Sequence, residues 1–338
     1  MSPAFIISML LSTFAPDSLA PLPYQHISKT NGLSNSAITS IYMDSYDYVW
    51  FGSWDGLNQY NGSDIRIYKP EAFSATAISN NIVRDFLEDK DKNLWIVTHK
   101  GINRYNRNTD AFKSFFAANH NIPFLEYNMR ACLGPDSVLL VSLIGQGLNR
   151  YEKSNDSFVP VLIEGLEKKW TQQIVGIGSN NQLTYLLGND GKLICVLHNK
   201  VVYTRQLLSS IKLHAFFQLN GKPYLALTSN DGSIHLYTLT DLEKQALTFK
   251  LSNFPISCIA TNAANKEIWV GTDLGNIFKL HETDGKFSAY NMADAFPTLY
   301  KAQRKILSIK ESKQDILWIG TDGDGVFKFL TKPKPFSS

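Results

Sequence analysis

Seven histidines, three cysteines and thirty carboxylates are the residues of this 338-residue chain with the reach for covalent or metal chemistry. His26, His99, His120, His198, His214, His235 and His281 include no pair at metal-ligand spacing. Cys132, Cys195 and Cys258 lie far apart, each inside an apolar run, which points to buried free thiols rather than a disulfide framework or a zinc site. The GIGSN stretch at 176–180 lacks the third glycine and the following helix of a phosphate loop, and no GxSxG elbow occurs. The DKDKN run at 89–93 starts like a calcium loop but lacks the glycine at its sixth position, and Lys100 stands at the twelfth where a bidentate glutamate belongs. The DGDG run at 322–325 reads as a backbone turn. The expectation is a chain without catalytic residues, metal or cofactor.

What remains is the chemistry of recognition. Trp54, in the turn SWDG, and Trp170 stand outside a text that otherwise repeats, and Asp55, His99, Arg130 and Asp190 are read at related loop positions. An aromatic plane covers the apolar face of a sugar ring, while Asp, His and Arg satisfy its hydroxyls. These six residues form the expected ligand site, with an oligosaccharide as the expected partner.

Their placement depends on a repeated unit. The stretch DSYDYVWFGSWDGLNQY at 44–60 has counterparts at 88–105 (EDKDKNLWIVTHKGINRY), 265–280 (NKEIWVGTDLGNIFKL) and 312–329 (SKQDILWIGTDGDGVFKF). Aligned on the tryptophan, seven units carry Trp50, Trp95, Leu140, Tyr185, Leu225, Trp269 and Trp318, spaced 40 to 49 residues apart. That period suits four-stranded propeller blades, and no unit offers the long 3.6-period run of a helical repeat. Within each unit the reading is an apolar first strand, a polar turn, the tryptophan strand, a glycine turn, a third strand and a more polar outer strand. The seventh unit supplies only three strands, whereas Tyr24–Ser28 precedes the first unit without a partner. This segment is predicted to close the ring as the missing strand. The predicted fold is therefore all-β, a seven-bladed propeller of four-stranded antiparallel blades closed by the N-terminal strand. The recurring tryptophans are assigned to packing between blades, and Trp54 and Trp170 to loops on the face where the central channel opens.

Composition narrows the setting. Hydrophobic residues at 44% provide for a real core, and a net charge of +3 without a Lys/Arg cluster argues against nucleic acid. Residues 1–20 read as an export signal, with an apolar run over 4–15 and Ser18-Leu19-Ala20 as the cleavage site. Residues 21–332 are assigned to the propeller and 333–338 to a C-terminal tail.

The stretches at 32–68 (GLSNSAITSIYMDSYDYVWFGSWDGLNQYNGSDIRIY), 81–112 and 317–329 (LWIGTDGDGVFKF) resemble the two-component regulator propeller repeat. Units three to five depart from it in lacking the tryptophan. The resemblance implies a periplasmic or extracytoplasmic sensory region of an inner-membrane hybrid histidine kinase, in a family best known for sensing glycans. It further implies downstream receptor domains, a possible homodimer, and kinase activity outside this chain. Two alternatives stay open on the residues alone: a propeller-fold polysaccharide lyase or glycosidase, and a protein–protein scaffold.

Overall fold

A computed structural model describes residues 20–115, 129–143, 146–180, 182–208, 211–262, 266–312 and 314–331. The expected export signal, but for Ala20, and the 333–338 tail lie outside these residues. The strands form seven four-stranded antiparallel sheets. Blade 1 comprises Ile38–Met43, Val49–Ser53, Gly56–Tyr60 and Ile65–Tyr68, and blade 2 Val83–Glu88, Leu94–Thr98, Gly101–Asn106 and Ala111–Phe115. Blades 3 to 6 follow the same plan, with first strands Met129–Leu133, Ile174–Ser179, Leu213–Leu219 and Ile256–Asn262. Blade 7 takes Ile306–Glu311, Ile316–Thr321 and Val326–Leu330 from the C-terminal part and Tyr24–Ile27 from the N-terminal part. The first strands meet their counterparts in neighbouring blades around the axis, so they form the inner wall of the ring.

The core lies between blades. Trp50 packs with Val83, Phe86 and Ile96 of blade 2, and Trp318 with Ile38, Ile41 and Phe51 of blade 1. All seven occupants of the tryptophan position are buried, including Leu140, Tyr185 and Leu225, where the aromatic signature fades. In blades 1, 6 and 7 a glycine two residues beyond the tryptophan (Gly52, Gly271 and Gly320) lets the next blade approach. A Cβ on Gly320 would stand 2.8 Å from the Ile38 side chain. The indole N–H groups of Trp50 and Trp95 donate to Asp44 and Asp89, each six residues earlier, at 2.8 Å. Blade 7 has Ser312 at that place, too short to reach, and the Trp318 indole nitrogen has no hydrogen-bond partner among the described residues.

Ring closure follows the expected register: Tyr24 opposite Phe329, His26 opposite Phe327 and Ile27 opposite Val326. The His26 ring stacks on Phe327 at 4.5 Å, and Leu22 donates its N–H to the Ala295 carbonyl at 3.1 Å. Gly325 (φ +81°) turns directly under the Ile27 carbonyl, leaving no room for a side chain. All three cysteines are free, and burial pushes each thiol up to about 12.

Candidate functional site

The turn between the second and third strands is tied to the start of the inner strand in the same blade. Its first residue donates a backbone N–H to the carbonyl just before that strand. Trp54 donates to Ala37 (3.4 Å), His99 to Ile82 (3.0 Å), Asn189 to Gln173 (3.0 Å), Asp273 to Pro255 (3.1 Å) and Asp322 to Lys305 (2.9 Å). These side chains therefore surround one mouth of the channel. The approach to the inner strand is fixed by a buried asparagine: Asn58 accepts the Ser34 N–H at 2.8 Å and Asn103 the Ser79 N–H at 2.9 Å.

Trp54 stands 42% exposed at this mouth. The Arg84 guanidinium lies 4.8 Å from its ring centroid, and the His99 ring meets it edge-on at 6.4 Å. Arg84 is the extra residue of a β-bulge: Val83 pairs with Thr98 and Asp85 with Val97, leaving Arg84 outside the ladder. It donates from Nη2 to His99 Nε2, which requires a neutral imidazole. Burial, then the neighbouring Arg84 charge, lowers the His99 pKa to about 4.

The other expected residues fall into three settings. Asp55 turns to the flank, where it accepts hydrogen bonds from Lys69 (2.7 Å) and Asn81 (3.3 Å), and the Lys69 contact holds its carboxyl below the usual range. With Lys69, Asn81 and Lys100 it lines a shallow cleft of about 400 Å³. Trp170 sits on a short helical turn, Lys168–Thr171, packs partly buried beside Ile163 and Ile174, and donates its indole N–H to Asp190 at 3.2 Å. This pair is a local feature of blade 4. Arg130 is not in a loop: it is the second residue of the inner strand Met129–Leu133, opposite Ser142. Blade 3 has lost the tryptophan landmark, and the strand start is displaced with it in the reading.

That strand placement puts Arg130 in the channel with residues missed in the sequence. Asp85, on blade 2, feels both Arg130 of blade 3 and Lys310 of blade 7. Arg130 also acts on His214 of blade 5. Both longer pairs skip an intervening blade, so they act across the lumen. Asp85 is open to water along the channel but ringed by protein, and that crowding raises its carboxyl against the opposing pull of the Phe86 N–H, Arg130 and Lys310. Burial lowers Arg130 and Lys310, opposed in each by Asp85. Burial, then Arg130, takes His214 down to about 3. A signal existed in the sequence: the equivalents of Asp85 in blades 1, 4, 6 and 7 are Ser40, Gly176, Cys258 and Ser308, all small and uncharged. Among the described residues no group of His, Cys, Asp and Glu converges to hold a metal ion.

The two depressed histidines set a pH dependence. Their folded pKa values lie below the ordinary ~6.5, so the unfolded chain takes up protons first as pH falls. Stability is complete above pH ~6.5 and declines between that value and the folded values near 4 and 3. Denaturant melts at pH 5 are expected to show a loss of roughly 1–2 kcal/mol per histidine relative to pH 7, reduced in a His99→Gln/His214→Gln variant. An equal loss in both proteins would contradict this assignment.

Residues 32–55 and 77–100 match the family model described as two component regulator propeller. Among curated proteins none matches the chain. The extracellular domain assigned to the hybrid two-component system BT3049 of B. thetaiotaomicron is 18% identical, with a TM-score of 0.71 over 93% of this chain and 42% of that one. The extracellular domain of BT4673 from the same organism is also 18% identical, with a TM-score of 0.68 over 94% of this chain and 43% of that one. The chain thus spans less than half the length of either domain. A chain of the mitotic checkpoint complex, 12% identical, reaches a TM-score of 0.65 over 94% of this chain and 98% of its own length. Likeness at such identity shows the fold. This is a propeller domain resembling the extracellular domains of two-component sensors. No helix among the described residues is long and apolar enough to cross a membrane.

Proposed function

We propose that this propeller is the extracytoplasmic ligand-binding region of a two-component receptor, sensing an oligosaccharide or its breakdown product without catalysis of its own. The matched repeats and the likeness to sensor extracellular domains support the receptor part of this reading. Trp54 carries the ligand part. A large indole left 42% exposed, braced by Arg84 on its face and His99 on its edge, is a fixed platform of the kind a sugar ring covers. Asp55 on the flank and Arg130 below the mouth supply polar groups for hydroxyls, while Trp170 and Asp190 offer a second, separate aromatic edge. Occupancy at the mouth signals by favouring one arrangement of this propeller against downstream receptor domains or a second copy. The receptor would sit in the inner membrane with this region in the periplasm.

Glycan-array screening followed by calorimetry tests the reading. Trp54→Ala is expected to weaken the best ligand by roughly tenfold or more while leaving the melting temperature unchanged, since a tenfold loss is only ~1.4 kcal/mol of contact. Binding indifferent to both Trp54→Ala and Trp170→Ala would remove this face from the mechanism. One observation favours a second reading, a lyase or glycosidase: Arg130 and His214 converge in the channel. The same screen exposes it as product formation abolished by His214→Gln.

A further inference from the structure

The lumen holds a charge imbalance that the fold does not use. Asp85, Arg130 and His214 occupy one level of the inner wall, opposite Val97, Ser142 and Leu227, each two residues past the tryptophan position. Lys310, opposite Trp318, lies one level further along with Tyr42, opposite Trp50. The two-residue period of a strand puts both levels on one face. The Lys310 ammonium is 5.5 Å from the Tyr42 ring centroid.

Two partly buried arginines elsewhere are answered by carboxylates. Arg107 bridges Asp44 (2.7 Å) and Glu88 (2.9 Å), and Arg104 meets Asp156 at 2.8 Å. Among the described residues neither Arg130 nor Lys310 has a carboxylate within 4.0 Å. The Arg130 side chain donates to its neighbour's carbonyl, Met129, at 3.2 Å, and Asp85 accepts the adjacent Phe86 N–H at 2.8 Å. Asp85 therefore stands off both cations, and Arg84 adds a third at the rim. A crowded guanidinium without a counter-ion is under-solvated, and a carboxylate offers it two parallel acceptors.

We propose that the central channel binds a carboxylate, held between Arg130 and Lys310, with the fixed charge of Asp85 opposing it and keeping the complex reversible. The carboxylate belongs either to a free organic acid or to an acidic sugar whose ring rests at Trp54. The proposal builds on the ligand-binding reading above but does not need the ligand to be a glycan.

Calorimetry on the full chain with sodium glucuronate, sodium acetate and glucose tests it. Both carboxylates are expected to bind at least tenfold more tightly than glucose. Arg130→Gln and Lys310→Gln should each weaken them tenfold or more, and Asp85→Asn should tighten them several-fold. The last gain is the signature, because a purely structural charge would not improve affinity when removed. Sensitivity of glucuronate, but not acetate, to Trp54→Ala assigns the site to an acidic sugar; equal affinities indifferent to that change assign it to a free organic acid. The proposal fails if the folded wild type gives no binding of either carboxylate at millimolar concentration. It fails also if Asp85→Asn and Arg130→Gln both leave affinity unchanged. A neutral oligosaccharide that needs Trp54 but ignores Arg130 and Lys310 would keep the receptor reading and overturn this one.

Discussion

Removal of the chain through Ser28 is expected to destabilise the protein by roughly 3–5 kcal/mol and to make it aggregate. The lost strand buries Ile27 and covers Phe327 and Phe329 with His26 and Tyr24, at centroid distances of 4.5 and 5.4 Å. Burial of one isoleucine contributes about 1.5–3 kcal/mol, and each aromatic pair about 0.5–1.5. The ladder hydrogen bonds add more, partly offset by the entropy of ordering four residues. Deletion also strips the Val326–Leu330 edge, leaving an unpaired apolar strand of the kind that recruits other chains. Denaturant melts with light scattering check both effects. An unchanged midpoint and a monodisperse sample would mean that the closing strand is ornamental.

The second large effect concerns the repeated tryptophan. Trp95→Ala and Trp318→Ala should each cost roughly 3–5 kcal/mol, since both side chains are buried (0% and 2% exposed) between blades. Trp54→Ala should cost little. The two core sites separate in a finer comparison. Trp95→Phe removes a charge-assisted hydrogen bond to Asp89, which keeps only those from Asp91 and Asn93, whereas Trp318→Phe removes a nitrogen with no partner among the described residues. Trp95→Phe is therefore expected to be the more damaging by about 1–3 kcal/mol. The reverse order in equilibrium melts would show that the indole hydrogen bond has no energetic part in the blade.

The blades were legible because each repeats one hairpin with its own turn chemistry, and local pattern survives even where Leu140 or Leu225 replaces tryptophan. The closing strand was legible by elimination, since Tyr24–Ile27 had no local partner and blade 7 lacked one. Of the candidate site, placement was legible only on the repeated turns, as at Trp54 and His99. Asp55 and Asp190 are where the turns place them, but the first is engaged by Lys69 and the second by Trp170. The lumen was not legible. Arg84, Asp85, His214 and Lys310 come together only when the ring closes, from strands tens to hundreds of residues apart, and a strand rich in Ile and Phe conceals two or three polar residues. The bulge at Val83/Asp85 matters most here, because it turns Arg84 out of the ladder and toward Trp54.

The register of closure also sets an order of events. Tyr24 pairs with Phe329, 329 − 24 = 305 residues later, so this contact waits for the last blade to exist. Every other sheet joins strands that are neighbours in the chain and forms on a short loop, while this one closes a loop of almost the whole domain. Blades 1 to 6 are complete while the chain is still emerging, but the ring stays open at a single seam with an exposed edge on each side. The seam is the slow step and the vulnerable one, and a chaperone or protease arriving before closure meets the protein there.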